Sequence, residues 1–165
     1  MNKLVRILAI GFINHMLCTT RFWNTKRKLL TIAGIKVGKE SKIVGPIHIG
    51  SVANLSIGDN CWIGSNIHIY GNGSVVIGDN CDLAPDISFV TGSHTIGTSE
   101  RRAGNGLSYN ILVQSGCWIG ARATIMGDTV INNGVIVGAC SLVNKDINDN
   151  TLVVGVPAKP VRNLK

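Results

Sequence analysis

The chain has 165 residues, which suits one domain with a sizeable core, and because 45% of them are hydrophobic but only 5% aromatic, Val, Ile and Ala must fill that core. Its five cysteines, none in a CxxC spacing, argue against a disulfide scaffold and a zinc knuckle and favour reduced thiols in the cytosol. The net charge of +7 is concentrated in residues 1–42, which hold nine Lys/Arg against one Glu, whereas the remainder holds seven basic and eight acidic residues.

The N-terminal segment 1–36 is predicted to be helical. Apolar residues near helical spacing indicate an amphipathic helix at 4–17, and a second helix at 25–33 would end at Gly34. The apolar run in the first helix is too short to span a bilayer and lacks the cleavage site of a signal peptide. Two roles stay open: the helices cover the open end of the array that follows, which is the favoured interpretation, or they sit on an anionic membrane surface.

From residue 37 the chain repeats with a period of six. Ile57–Ser74 comprises three consecutive units, and the pattern returns at Ile77 and again at Val113. Two extra residues before Ile57 and before Ile77 indicate that three units make one coil, which gives five coils within 37–151. The first position of each unit is a large apolar residue, predicted to fill the interior: Val37, Ile43, Ile49, Ile57, Ile63, Ile69, Ile77, Leu83, Phe89, Val113, Ile119, Ile125, Ile131, Val137 and Val143.

The fourth position of the units predicts corners. In coils two to five, ten of the twelve residues at this position are Asn, Asp or Gly, which tolerate positive φ, and the exceptions are Arg122 and Cys140. A short strand followed by a left-handed corner, three times per coil, describes a triangular prism of parallel strands. Cys61, Cys81 and Cys117 share the fifth position on successive coils, which predicts a ladder of small buried side chains without a redox role.

One segment interrupts the repeat. Residues 95–110 (TIGTSERRAGNGLSYN) are polar and Gly-rich, and the apolar count resumes at Val113. A regular solenoid that extrudes a loop usually does so for binding. His94 stands at the root of this loop, and an imidazole can take up and release a proton near neutral pH, as a general base must. His94 is therefore the leading catalytic candidate.

The hexads, the segment LAPDISFVTGSH that ends at His94, and the tail TLVVGVPAKPVRNLK resemble the hexapeptide-repeat acyltransferases. Within them the chain is most similar to the maltose/galactoside O-acetyltransferases and to the acetyltransferases of surface-polysaccharide synthesis, over Val37–Lys165. The resemblance implies an all-β fold: a left-handed parallel β-helix of about five triangular coils, preceded by the short helical segment and followed by a tail (152–165) over the end of the prism. It also implies acetyl-CoA as co-substrate and a homotrimer with active sites between neighbouring prisms.

The resemblance assigns roles to individual residues. The residue matching His94 is the family's catalytic base. Asn66 matches a residue that binds the acceptor sugar, although it is equally a corner residue, and Trp118 matches a tryptophan beside the acceptor and the donor thioester. The positions that match coenzyme A contacts are Ala121, Gly138, Ala139 and Asn144 along the pantetheine arm, and Lys159 and Arg162 near the nucleotide phosphates. Cys140 departs from the family, which usually has glycine there.

The other histidines favour no metal site. His48 and His68 occupy the outward sixth position on one face of adjacent coils, about one strand spacing apart. The γ-class carbonic anhydrases, which share the prism, typically need a histidine pair five residues apart, and this chain has none. We therefore expect no bound metal and interpret the two histidines as a solvent-facing or subunit-facing ladder.

The leading hypothesis is an acetyl-CoA-dependent O-acetyltransferase that acts on a saccharide hydroxyl in surface-polysaccharide or glycan synthesis. Serine O-acetylation and N-acetylation of an amino sugar or sugar nucleotide are enzymatic alternatives, and a structural or binding β-helix is the non-enzymatic one. The expected partners are a saccharide acceptor and two further copies of the chain, with no nucleic acid. The expected location is the cytoplasm, with peripheral contact to the inner membrane surface through the basic N-terminus.

Overall fold

The computed structural model describes residues 3–165. Two helices come first, α1 (Lys3–Met16) and α2 (Trp23–Ile32). Nineteen strands follow in chain order: β1 (Lys36–Val37), β2 (Lys42–Ile43), β3 (Ile47–Ile49), β4 (Asn54–Ile57), β5 (Trp62–Ile63), β6 (Ile67–Tyr70), β7 (Ser74–Ile77), β8 (Asp82–Leu83), β9 (Ser88–Val90), β10 (Gly92–Ile96), β11 (Ala103–Ser108), β12 (Asn110–Val113), β13 (Trp118–Ile119), β14 (Thr124–Met126), β15 (Thr129–Ile131), β16 (Ile136–Val137), β17 (Leu142–Val143), β18 (Thr151–Gly155) and β19 (Ala158–Asn163).

Three parallel sheets form the body of the molecule. Face A consists of β1, β4, β7, β12 and β15, face B of β2, β5, β8, β13, β16 and β18, and face C of β3, β6, β9, β14 and β17. The chain visits the three faces in turn, and each strand pairs with its equivalent in the next coil. The body is therefore a parallel β-solenoid with three edges, named A–B, B–C and C–A after the faces they join.

The solenoid is longer than the five coils counted from the sequence. After five complete coils, Ile147 bridges to Ile131 on face A, and β18 pairs in parallel with β16 on face B, so that an incomplete sixth coil is present. β19 then folds back antiparallel to β18. The tail predicted to begin at residue 152 thus begins inside the solenoid. The repeat count missed this coil because the spacing between paired residues shortens from 20 residues at β4–β7 to 16 at β16–β18.

The interior contains the residues that the hexads predicted. Thirteen of the fifteen first-position residues are buried, and the other two, Val37 and Ile49, are partly buried and pack against the core. Phe89, the one aromatic residue among them, is fully buried. Each apolar side chain therefore lies above its equivalent in the preceding coil, which confirms the predicted core.

The three cysteines at the fifth position of successive coils form the predicted ladder. The thiols of Cys61, Cys81 and Cys117 each donate to a backbone carbonyl of the next coil, at 3.1, 3.1 and 3.0 Å. Hydrogen bonding with Cys81, followed by desolvation, raises the pKa of Cys61, and hydrogen bonding with Cys117 raises the pKa of Cys81 to about 11. The contact with Cys81 lowers the pKa of Cys117, whose side chain is only 1% exposed. All three side chains are buried and pack the interior.

The corner rule holds on two of the three edges. Positive φ occurs at Asn60, Asn80, Gly116 and Gly134 on the A–B edge and at Asn66, Asp86, Arg122 and Cys140 on the B–C edge. On the C–A edge the prediction is wrong, since the fourth-position residues Asn72, Gly92, Asp128 and Asp146 do not have positive φ. This edge carries the inserted residues, and its turns use Gly71 (φ 92°) and Gly127 (φ 80°) instead. Because the C–A edge has no fixed corner residue, the solenoid can accommodate inserted segments there, and such a segment can form a site.

The two helices cover the N-terminal end of the solenoid. Ile13 of α1 and Leu30 of α2 join the same core cluster as the first-coil residue Ile43. Both helices therefore pack as an end cover of the hydrophobic interior. No helix within residues 3–165 is long and apolar enough to cross a membrane.

Two cations of the basic N-terminal segment lie inside the protein. Lys26 is fully buried and donates from Nζ to the carbonyl oxygens of Ile43 at 2.7 Å and Val44 at 3.1 Å. Arg6 is 3% exposed and donates from Nη2 to the carbonyl oxygen of Ala53 at 2.6 Å. Desolvation lowers the pKa of both side chains. Through these hydrogen bonds the two cations connect the helices to the first coils. Because both are buried, they do not contribute to a basic surface.

Replacing Cys140 by glycine should stabilise the fold. Cys140 is exposed with φ 59°, a conformation that costs a residue with a Cβ roughly 1–2 kcal/mol and that glycine adopts readily. After the greater entropy of glycine in the unfolded chain is subtracted, we expect the free energy of unfolding to rise by about 0.5–1 kcal/mol in urea denaturation. Lys145→Gly, at an exposed position without positive φ, is the matched control and should lower it by a similar amount. A loss of stability in both variants would contradict the strain at Cys140.

Candidate active site

The interruption of the repeat is a β-hairpin and not an irregular loop. β10 and β11 form their own antiparallel two-stranded sheet, which leaves the solenoid at the C–A edge of the third coil. The hairpin begins at Gly92, before the predicted loop, and Ile96 near its tip is 92% exposed. A Cβ on Gly97 would lie 2.3 Å from the carbonyl oxygen of Arg101, so this glycine is needed for the close turn that joins the two strands. The glycines that led to the prediction of a loop thus allow close backbone contacts within the hairpin.

His94 lies where the hairpin leaves the solenoid. It belongs to β10, is paired with Gly106 of β11, and has an exposed side chain. A cleft of about 280 Å³, the His94 cleft, is lined by His94, Tyr70, Asn72 and Leu107 among others. Within residues 3–165 no group hydrogen-bonds to the His94 imidazole, so both ring nitrogens are open to a substrate. The position predicted for a general base is therefore accessible.

Sequence reasoning missed Tyr70 and Asn72 as neighbours of His94. Tyr70 ends β6 and is half exposed, and Asn72 follows it in the turn of the C–A edge. The hairpin of the next coil folds over this turn, which brings both residues to the His94 cleft. The alternation of the sequence IHIY could have placed Tyr70 outward on the same face as His68, since strand residues two apart share a face.

A polar row follows the B–C edge. Asn66 donates from Nδ2 to Asp86 Oδ1 at 2.6 Å, and Asp86 Oδ2 lies 3.9 Å from Arg122 Nε. The Oδ1 of Asn66 lies 2.9 Å from His68 Nε2, so both polar atoms of this amide already have partners within the chain. Asp86, which is a fourth-position corner residue, also carries the charge opposite Arg122. The side chains of this ion pair are largely open to solvent, so the pair contributes little to stability.

The predicted donor-site residues lie at two different edges of the prism. Trp118 is 56% exposed on face B, and Ala121, Gly138 and Ala139 follow at the B–C edge. Asn144 lies after β17 on the C–A side, the same side as His94. Lys159 and Arg162 are exposed on β19, which pairs with the last strand of face B. One chain therefore does not bring His94 together with Trp118, because face C separates them.

The outward histidines are in contact, as their spacing predicted. The rings of His48 and His68 are stacked, with centroids 4.3 Å apart. Desolvation, and then the charge of His48, lower the pKa of His68, while Asp86 opposes this. Protonation of His68 therefore costs the folded state free energy, and its contribution to stability decreases as the pH falls below about 6.5. No group of three or more His, Cys, Asp or Glu side chains suited to a metal ion occurs within residues 3–165.

Comparison with known proteins agrees with the fold and the repeat. Residues 110–145 match the family model described as bacterial transferase hexapeptide (six repeats). The hexapeptide-repeat containing acetyltransferase VCA0836 of Vibrio cholerae superposes with a TM-score of 0.83 at 28% identity, covering 99% of this chain and 92% of that protein. The chain is thus similar to the hexapeptide-repeat transferases in its repeat and in its fold. VCA0836 has also been solved in complex with acetyl coenzyme A.

Two further similar proteins have acceptors in their names. Galactoside O-acetyltransferase of Escherichia coli is 30% identical over 82 residues, which are 50% of this chain and 40% of that enzyme. The chain thus matches less than half the length of this relative. The polySia specific acetyltransferase NeuO superposes with a TM-score of 0.69 at 28% identity, covering 79% of this chain and 62% of that protein.

Proposed function

We propose that this protein is an acetyl-CoA-dependent O-acetyltransferase of a saccharide hydroxyl, with His94 as the general base. The observation that carries the proposal is the exposed His94 imidazole in a cleft at the one place where a hairpin interrupts the solenoid. The names of the galactoside and polySia acetyltransferases support a saccharide acceptor. Surface-polysaccharide or glycan synthesis is the proposed setting.

The proposed chemistry is a direct transfer. A nitrogen of His94 takes the proton of the acceptor hydroxyl as its oxygen attacks the thioester carbonyl of acetyl-CoA. The tetrahedral intermediate then expels the thiolate of coenzyme A, which takes the proton from the imidazolium. The products are an acetyl ester and coenzyme A thiol, with His94 returned to its neutral form. No cysteine nucleophile is required, which fits the buried position of the cysteine ladder.

The proposed assembly is a homotrimer of left-handed prisms with sites between subunits. His94 projects at the C–A edge, whereas Trp118 and Ala121 lie on face B and the B–C edge. A neighbouring prism could present its B–C edge to the C–A edge of the first, which would join the two halves of the site. A closed ring of three such contacts gives every subunit one complete site.

In this assembly the B–C edge of one subunit and β19 would hold acetyl-CoA. The backbone at Ala121, Gly138 and Ala139 would contact the pantetheine arm, together with Asn144. Lys159 and Arg162 are exposed cations that suit the nucleotide phosphates. Asn66 and Trp118 would contact the acceptor, although the amide of Asn66 would have to share the partners it already has.

Three alternatives differ in acceptor or in chemistry. Serine O-acetylation would place an amino acid in the His94 cleft, and N-acetylation would place an amino sugar or sugar nucleotide there. Both would use the same base and donor, so only the acceptor distinguishes them. A structural or binding β-helix would leave acetyl-CoA unbound, which a coenzyme A titration detects.

His94→Ala should abolish acetyl transfer. Loss of a general base typically costs about 10²–10⁴-fold in rate, and release of coenzyme A thiol can be followed over a panel of saccharides, serine and amino sugars. His15→Ala, an exposed histidine on α1, is the matched control and should keep the wild-type rate. Size-exclusion chromatography should show the same assembly for all three proteins. If His94→Ala retained at least half the wild-type rate, His94 would not be the general base.

We also propose that α1 contacts an anionic membrane surface. Its outward residues Ile7, Leu8, Phe12 and Met16 are 50–66% exposed, although the helix is otherwise packed on the solenoid. Residues 3–39 contain no acidic side chain and several exposed cations. An apolar helix face with basic neighbours is the composition that binds the headgroup region of anionic lipids.

Vesicle flotation tests this contact. The wild-type protein should float with vesicles containing phosphatidylglycerol and much less with pure phosphatidylcholine. Phe12→Asp should reduce flotation several-fold, because it places a charge in the apolar face without touching the buried Arg6 and Ile13. Val161→Asp, at an exposed apolar position on β19, is the matched control and should float like wild type. Equal flotation of Phe12→Asp and wild type would contradict a membrane contact through α1.

A further inference from the structure

A column of three aromatic rings runs along face C next to the His94 cleft. His48 and His68 stack with an angle of 14° between their planes, and His68 stacks on Tyr70 with centroids 5.3 Å apart and an angle of 15°. The in-register pairing of β3 with β6 places His48 beside His68, and Tyr70 shares the outward side of β6. We call these three residues the aromatic column.

The aromatic column lines a second cleft that adjoins the His94 cleft. This second cleft has a volume of about 550 Å³ and is lined by all three column residues. It shares Tyr70, Gly71 and Asn72 with the His94 cleft. Pockets for small ligands usually enclose about 300–1,000 Å³, so the His94 cleft alone is at the lower limit and the second cleft is well within the range. The two together suit a ligand longer than the unit that reacts at His94.

The second cleft has a polar lining without acidic or strongly basic side chains. No Asp, Glu, Lys or Arg lines either cleft within the described part of the chain. Burial lowers the pKa of His68, which favours the neutral form of this ring. The His48 ring nitrogens, the Tyr70 hydroxyl and the Asn72 amide make no side-chain hydrogen bond within residues 3–165. Unpaired donors and acceptors beside aromatic rings match a ligand with many hydroxyls and apolar C–H faces.

A phosphorylated or acidic ligand fits this surface poorly. It would need a cation, and no Lys or Arg side chain lines either cleft in the described part of the chain. A lipid chain would leave the nitrogens of His48 and the hydroxyl of Tyr70 without partners. A neutral oligosaccharide satisfies both requirements.

We propose that the aromatic column binds the second and following sugar units of a neutral oligosaccharide acceptor whose terminal hydroxyl lies at His94. The inference rests on the proposed function, since it assumes that the His94 cleft receives an acceptor. It adds a length preference: the acceptor is an oligosaccharide and not a single sugar. Tyr70 is the residue where the reacting unit and the remainder of the chain meet.

Binding to an array of neutral mono- to hexasaccharides, with coenzyme A present, tests the column without requiring turnover. The wild-type protein should bind a tetrasaccharide at least about tenfold more tightly than its monosaccharide, as expected for two or more added hydrogen bonds of about 1 kcal/mol each. His48→Ala should reduce this ratio by about three- to tenfold. His15→Ala, which lines neither cleft, should leave the ratio unchanged.

The outcomes separate this inference from the proposed function. An unchanged ratio in His48→Ala, equal binding of short and long saccharides, or no binding to the array would overturn the role of the column. Dissociation of the assembly by His48→Ala would also overturn it, because the column would then be a subunit contact. Array binding with the expected ratios but no acetyl transfer from acetyl-CoA would refute the O-acetyltransferase and leave the column as a glycan site. Acetyl transfer without a length preference would support the O-acetyltransferase and overturn the role of the column.

Discussion

Parallel pairing of each coil with the next is the constraint on which the structure depends. On face A the hydrogen bonds join residues 20 positions apart in the early coils, so that equivalent side chains lie directly above one another. Inside the prism this stacks Ile57 on Ile77 and produces the cysteine ladder. Outside it stacks His48 on His68. Any residue type that recurs at the coil period therefore becomes a continuous row, which is how a short repeat can build both a core and a binding surface.

The candidate site lies where this pairing is interrupted by inserted residues. The C–A edge has no fixed corner residue, and its insertions include the hairpin that carries His94. The A–B and B–C edges are held by left-handed corners and remain regular, and a regular edge can line an extended donor such as coenzyme A. The two kinds of edge are separated by face C within one chain. In the proposed assembly a second copy completes a site that uses both kinds of edge, and the exposed Trp118 and the exposed Ile96 near the hairpin tip would lie at that contact.

The sequence predicted the solenoid well because interior positions and corners depend on local residue type. It predicted the buried first positions and the left-handed Asn and Asp corners of the B–C edge, whereas Arg122 and Cys140, the two exceptions in residue type, also adopt positive φ. It did not predict the buried Lys26 and Arg6, since the carbonyl oxygens that receive them come from coils distant in sequence. It interpreted the hairpin as a loop because glycine is common in both, and it missed Tyr70 because the hairpin of another coil brings His94 beside it. The sixth coil was missed where the repeat shortens.

Complementation between two inactive variants measures the central claim that His94 and Trp118 of different subunits form one site. His94→Ala and Trp118→Ala should each be inactive alone. After the two proteins are unfolded together and refolded into mixed trimers, about a quarter of the sites should pair an intact His94 with an intact Trp118 from the neighbour, and coenzyme A release should recover to about that fraction. No recovery in mixed trimers, with wild-type protein regaining activity in the same procedure, would contradict a site shared between subunits.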